Sequence, residues 1–350
     1  ARVIRFSQPL TCNSGYESMP YQSLPLIRAM QSYLPFDADS GGLYEEHVRV
    51  KDAPPSYDTD ALKHVLDKLR DSDTRLIVLT GDAGHGKTHL CRRIVEIGMD
   101  NGDGDSESDA RAALRRLTTD PEGQSPIHLP GVGRDVRVVK DLSDFDEVKG
   151  ATILAEVLEE PNEVGLVCAN EGRLRSVVAH DRYLLQPVRD ALESGIRHGR
   201  TTVDRSVHVI NLNYQACATS GGFISHLLRN WVGDQRRWRG CENCDAASVC
   251  PIRGNGRRLS LDESTREGFM KLVRSAEQSG YVLTYREALI LVSLMVTGGR
   301  HCEDVAQLHS RGSAGRTRLE ELSLDSLLFE AELTEAQREQ LPILGKLRRF

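Results

Sequence analysis

The chain contains no apolar run approaching ~18 residues, and no basic stretch leads into an apolar segment. A membrane-spanning helix and a secretory signal are therefore not indicated. No internal repeat recurs along it. An excess of positive charge is also missing: the formal net charge is −6, which argues against a general nucleic-acid-binding surface while leaving room for a local one. Of the eight cysteines, Cys12, Cys91, Cys168 and Cys217 are scattered in apolar or unremarkable settings. That distribution is expected of a reduced, cytoplasmic protein with buried thiols rather than a disulfide framework. What is present is ordinary for a globular protein, with 39% hydrophobic and 27% charged residues over 350 positions, enough for two or three domains. The sequence runs from Ala1 to "LGKLRRF" without a closing turn or tail, and is expected to be a piece of something longer.

Residues 1–57 are mixed and turn-rich, and read as an N-terminal extension. An amphipathic helix follows, with Leu62, Val65, Leu66 and Leu69 on one face and Asp58 and Asp60 at its start. Four apolar stretches then alternate with helical patterns: Leu76–Thr80, "VRVVKDL" (136–142), "VGLVCAN" (164–170) and "VHVINLN" (207–213). Alternation of this kind predicts a parallel sheet covered by helices on both faces. The acidic, glycine-rich "DNGDGDSESD" (100–109) reads as a loop. Beyond 220 the pattern becomes helix and loop. "STREGFMKLVRSAEQSG" and "TYREALILVSLMVTGG" each begin with a capping box, Ser264 with Glu267 and Thr284 with Glu287, and each ends on glycine. The expected division is an α/β core over 58–220, a Cys/Arg-rich insert over 221–262, a helical lid over 263–317 and a further helical region over 318–350.

The chemistry begins with "GDAGHGKT", which satisfies G-x-x-x-x-G-K-[ST] between an apolar strand and a helix from about Lys87 to Met99. Gly81, Asp82, Ala83, Gly84, His85 and Gly86 would wrap backbone N–H groups around phosphates. Lys87 would reach the β and γ oxygens, Thr88 would give its hydroxyl to Mg²⁺, and His89 would flank the site. His85 reads as an exposed loop residue rather than a catalytic one. Hydrolysis needs more: a carboxylate for the metal and another to polarise water. In "GLVCANEGR" four apolar residues lead to Asn170 and Glu171, placing Glu171 where a water-activating base belongs and Asn170 where Asp is usual. Asp141, ending "VRVVKD", is the alternative metal-side acid, although "DLSDFDE" also reads as a solvated turn. Asn211 or Asn213, at the end of the last strand, would orient water or touch the γ-phosphate, or simply satisfy their own turn. A second register makes 136–140 the acid-bearing strand and Asn170 the polar sensor. Arg286, in the first turn of the lid helix, would reach the γ-phosphate or lie in a surface ion pair. Arg173, Arg175 and Arg182 are candidate arginine fingers acting on a neighbouring subunit, a role worth about 10³–10⁵ in rate, or a solvated basic flank.

"RGCENCDAASVCPI" spaces Cys241, Cys244 and Cys250 as C-x-x-C-x5-C. Such a knuckle places two thiolates on one side of a tight turn, as tetrahedral Zn²⁺ requires, and Cys302 is the expected fourth ligand, with His301 as substitute. Free thiols and an iron–sulfur cluster are the competing readings. Arg229, Arg236, Arg237, Arg239, Arg253, Arg257 and Arg258 surround the knuckle together with Trp231 and Trp238. Basic groups interleaved with stacking rings fit contact with double-stranded DNA; arginines paired within an acidic chain, or binding another subunit, are the alternative.

In this order, "GDAGHGKTHL", "VVKDLSDF", "CANEGRL", "VINLN", "C-x-x-C-x5-C-P-I" and "LTYREALILVSLMVTGG…CED" resemble the ATPase component of bacterial DNA phosphorothioation-dependent restriction systems. The resemblance covers roughly residues 75 to 305. It implies an AAA+-like P-loop fold, ATP hydrolysis, DNA as the macromolecular substrate, a partner nuclease or restriction subunits, and a homo-oligomer. It carries Gly81, Gly86, Lys87 and Thr88 over as the phosphate site and Glu171 as the hydrolytic acid. The Asn at 170 puts vigorous turnover in question and keeps open a nucleotide-gated switch with little hydrolysis.

Overall fold

The computed structural model describes residues 23–35, 52–100, 106–181, 183–198, 200–201, 206–330, 339 and 341–349. The chain divides into two compact units, one of residues 58–215 and one joining 1–57 to 216–350. Among the described residues, the first helix of the second unit is α1 (Pro25–Ser32).

The 58–215 unit is an α/β layer structure. Helix α2 (Asp60–Arg70) starts at Thr59, whose side chain accepts the Leu62 N–H, and buries the leucine face read from the sequence. Strand β1 (Leu76–Thr80) is buried on every residue. Helix α3 (Lys87–Met99) follows the glycine turn, and helix α4 (Ser106–Thr119) begins inside the stretch expected to be a loop. Next come β2 (Ile127–Leu129), β3 (Arg134–Val139), α5 (Glu147–Glu159), β4 (Glu163–Ala169), α6 (Glu171–His180), α7 (Gln186–His198), β5 (Arg200–Thr201) and β6 (Val207–Asn211). The six strands form one sheet in the order β2-β3-β4-β1-β6-β5. The four predicted strands are its parallel centre, and β2 and β5 add antiparallel edges too short to show in the sequence pattern.

Both faces of the sheet are covered. Ile77 and Leu79 of β1 join Leu166, Cys168 and Ile210 in a core under α2, α3 and α4. Leu76 and Val78 face the other way, with Val167, Val207 and Val209, onto α5, α6 and α7. Burial on both faces is why β1 and β4 read as nearly unbroken apolar runs rather than alternating ones. The register aligns the strand ends: Thr80 lies opposite Ala169 on one side and Asn211 on the other, and Val139 lies opposite Val167. The residues that leave the sheet at its carboxyl edge, Gly81, Asn170 and Leu212, therefore emerge side by side.

The second unit is helical. After α1 it contains α8 (Phe223–His226), which continues into a π-helical turn, then α9 (Pro251–Ser260), α10 (Glu263–Gln278), α11 (Tyr285–Thr297), α12 (Cys302–Ser310), α13 (Ser313–Glu320) and α14 (Pro342–Leu347). These share a single core that takes in residues of the N-terminal segment, the Cys/Arg-rich stretch, the expected lid and the tail. Helix α11 is its centre, buried nearly all round. The Thr284–Glu287 capping box is present, and Gly298 closes α11 in a left-handed conformation with φ 60°. The cap expected at Ser264 is instead Asp262, whose carboxylate accepts the Ser264 N–H and the Thr265 hydroxyl, so α10 starts two residues earlier than the capping box implied. No helix among the described residues is long and apolar enough to cross a membrane.

Candidate functional site

The loop between β1 and α3 turns on three glycines in the left-handed half of backbone space: Gly81 (φ 141°), Gly84 (φ 92°) and Gly86 (φ 75°). Side chains other than hydrogen are strained there, and a Cβ on Gly81 would also stand 2.8 Å from Asn213 Oδ1. Gly86 is the N-cap of α3 and supplies no side-chain cap, so the first N–H groups of the helix face the loop with the positive end of the helix dipole behind them.

Lys87 is the centre of the arrangement. Its Nζ donates to the carbonyls of Gly81 at 2.7 Å and Asp82 at 2.9 Å, and to Asn170 Oδ1 at 2.9 Å. Burial lowers its pKa, and the neighbouring Cys168, Asp141 and Asp82 act in the other direction. Asn170, the N-cap of α6, uses its other amide atom to donate to Ser143 Oγ at 3.3 Å. Asp141 caps the short 3₁₀ turn after β3 by accepting the Ser143 N–H at 2.8 Å. The turn reading of "DLSDF" and the proximity of Asp141 to the lysine thus hold together. Because β4 lies between β1 and β3, the strand ending in Asn170 separates the glycine loop from the strand ending in Asp141.

Glu171, the first residue of α6, is partly buried. It pairs with Arg175 at 2.8 Å and accepts from Asn211 Nδ2 at 3.3 Å. Asn211 also accepts the Asn213 N–H at 3.0 Å, so it both satisfies its own turn and holds the glutamate. Asn213 grips the loop at two points: Oδ1 accepts the Asp82 N–H at 2.8 Å, and Nδ2 donates to Asp82 Oδ2 at 3.0 Å. Beneath the loop, Cys91 of α3 and Cys168 of β4 meet in the core with their sulfurs 3.0 Å apart.

No family model, curated protein or solved structure matches this chain.

Lys87, Thr88, Asp141, Asn170, Glu171, Asn211 and Asn213, read from four separate stretches of sequence, all belong to the 58–215 unit, and the hydrogen bonds above tie most of them into one network. His85 is a correction. It is 2% exposed, not an exposed loop residue, and its Nε2 has no hydrogen-bond partner. Burial holds its pKa down to about 4, with Asp82 pulling up and Lys87 pushing down. A polar residue type in a loop does not advertise such burial. Arg173 and Arg175 form ion pairs with Glu147 at 3.5 Å and Glu171 at 2.8 Å, so as they stand they serve their own helix surroundings. Arg182 lies outside the described residues. Arg286 stands in the first turn of α11 in the helical unit, a different body from the one that carries the loop. Sequence reading did not find Ser143 or the Asp82–Asn213 link, since neither follows from a motif.

The second expectation to change concerns the arginine-rich stretch. Trp231 is fully buried and donates to the Asp52 carbonyl at 2.8 Å, and Trp238 packs on the core and donates to the Val232 carbonyl at 2.8 Å. The rings are structural, because an indole buries more apolar area than any other side chain near them while its N–H finds a carbonyl. Arg236 pairs with Asp234, Arg237 with Asp52 and Asp234, and Arg258 with Asp325. Arg229, Arg236, Arg239 and Arg257 keep exposed surface.

Proposed function

We propose that the chain binds ATP with Mg²⁺ at the glycine loop and hydrolyses it, as an AAA+-like P-loop ATPase that powers a DNA-processing or restriction complex in bacterial phage defence. The observation that carries the reading is the setting of Lys87. Its ammonium is held at the carboxyl edge of a parallel sheet, at the start of an uncapped helix, inside a turn of three left-handed glycines. In a triphosphate complex the lysine would exchange its loop carbonyls for β and γ oxygens. Thr88 would hold Mg²⁺ with Asp141 on the metal side, Asn170 would report the γ-phosphate, and Glu171 would polarise the attacking water. The sheet order favours this second register, because it sets Asn170 between the loop and the acid-bearing strand. The part concerning DNA and partner subunits rests on the family resemblance and on the exposed arginines of 229–258.

One observation favours a nucleotide-gated switch with little turnover. Glu171 is engaged by Arg175 and Asn211, and must leave both to act as a base. ATP turnover with and without duplex DNA separates the two. The motor reading expects DNA-stimulated hydrolysis that falls about 10²-fold or more in Glu171→Gln with ATP binding retained, and that is lost in Lys87→Ala. Tight ATP binding with no hydrolysis in either condition would leave the switch.

A further inference from the structure

Four of the cysteines outside the sheet unit, Cys241, Cys244, Cys250 and Cys302, are used by nothing described so far. Cys241 and Cys244 lie at the end of a 3₁₀ segment, with the Cys244 N–H directed at the Cys241 carbonyl. Cys250 is the N-cap of α9, and Cys302 is the first residue of α12. Three chain segments, the last one 52 positions beyond the third cysteine, thus deliver thiols to one place: each of the four lies within electrostatic reach of the other three. Cys244, Cys250 and Cys302 all pack against the same core, and none of the four is in a disulfide.

Burial pushes the Cys241 thiol up to about 11 and raises those of Cys250 and Cys302, while nearby N–H donors and a guanidinium act the other way. The backbone N–H groups of Arg253 and Ile252, at the start of α9, bond the Cys250 sulfur, and the Leu24 N–H bonds the Cys302 sulfur. The Arg253 guanidinium acts on Cys241. N–H donors of this kind form the outer shell that orients and neutralises metal-bound thiolates. Among the described residues no group of three His, Cys, Asp or Glu side chains stands ready to hold a metal, so a site here would require the sulfurs to draw in around the ion.

We propose that Cys241, Cys244, Cys250 and Cys302 form a closed, structural four-thiolate site for a divalent zinc ion in the helical unit. Four protein thiolates leave no open position for water or substrate, so the site serves folding rather than chemistry. Ligands from the knuckle, α9 and α12 would cross-link segments that share the apolar core, and metal binding would be coupled to folding of that unit. The sequence supplied the spacing of the first three; the structure adds the convergence of Cys302 and the N–H donors.

The test is the metal content of the chain purified without chelator, by inductively coupled plasma mass spectrometry, in the native protein and in Cys241→Ser, Cys302→Ser and Cys217→Ala. The expected result is one zinc per chain in the native protein and in Cys217→Ala, whose thiol is bonded to the Leu283 carbonyl elsewhere in the core, and a loss of at least tenfold in the two serine variants. To keep the test independent of how the variants fold, the native protein is also titrated with an organomercurial in the presence of a zinc-sensitive dye. One zinc released per four protected thiols supports the site. Zinc below a tenth of an equivalent in the native protein, iron with visible absorbance, or full zinc retention in the serine variants would overturn it.

Discussion

At the scale of single residues, the loop is built from groups whose roles oppose their solution preferences. His85 is buried and neutral beside Asp82 and Lys87, with its pKa held near 4. The unfolded imidazole takes a proton below about pH 6.5, the folded one only near 4, so folding expels a proton in that window. Stability is therefore fully present above pH 6.5 and falls as pH drops toward 4. Urea midpoints of the native protein and His85→Gln between pH 7 and 4.5 check this: the variant should show a shallower decline, and parallel curves would refute a buried neutral histidine. Asn213 makes a second residue-level case. Its two bonds to Asp82 are what fix the loop backbone against the sheet. Asn213→Ala removes both, and at about 0.5–1.5 kcal/mol per bond should weaken MgATP binding by roughly 10-fold in a calorimetric titration, without loss of the folded far-UV spectrum.

At the scale of elements, the sheet's parallel core was legible because strands buried on both faces need largely apolar runs, unbroken in β1 and in β4 from Val164, and interrupted once by Arg137 in β3 and by His208 in β6. The edges β2 and β5 are three and two residues long, and no periodicity develops over such lengths. The caps divided in the same way. Thr284 and Glu287 sit at the helix start that the pattern predicts, whereas Asp262 competes with Ser264 two positions away, and a carboxylate at the positive helix end wins. In the candidate site the glycine loop, Glu171 and Asn170 were legible from spacing. The choice between registers was not, because it depends on strand order, a property of pairing and not of any one strand. Two substitutions measure these elements. Thr284→Ala breaks the capping box of the central helix and should cost about 1 kcal/mol in chemical denaturation. Gly165→Ala would press a methyl into Val157 and stand 3.0 Å from Leu76 Cδ1, an overpacking cost of about 1–3 kcal/mol. A neutral result would show that β4 and α5 are less closely packed than described.

At the scale of the whole molecule, two units each bury their own core, and both tryptophans of the chain lie in the helical one. Tryptophan fluorescence therefore reports unfolding of that unit, while far-UV circular dichroism reports both. Their thermal midpoints should separate, since two-state coincidence is not expected of two cores, and MgATP should raise only the transition that fluorescence does not see. Coincident curves that shift together would mean that the units unfold as one. The central claim is that the glycine loop of the 58–215 unit holds a nucleoside triphosphate through Lys87, and it is tested most directly by isothermal titration of MgATP into the native chain and into Lys87→Ala. Saturable binding of one ATP per chain, weakened at least 10-fold in the variant, is the predicted result. No binding to the native chain, or equal affinity in the two, would contradict it.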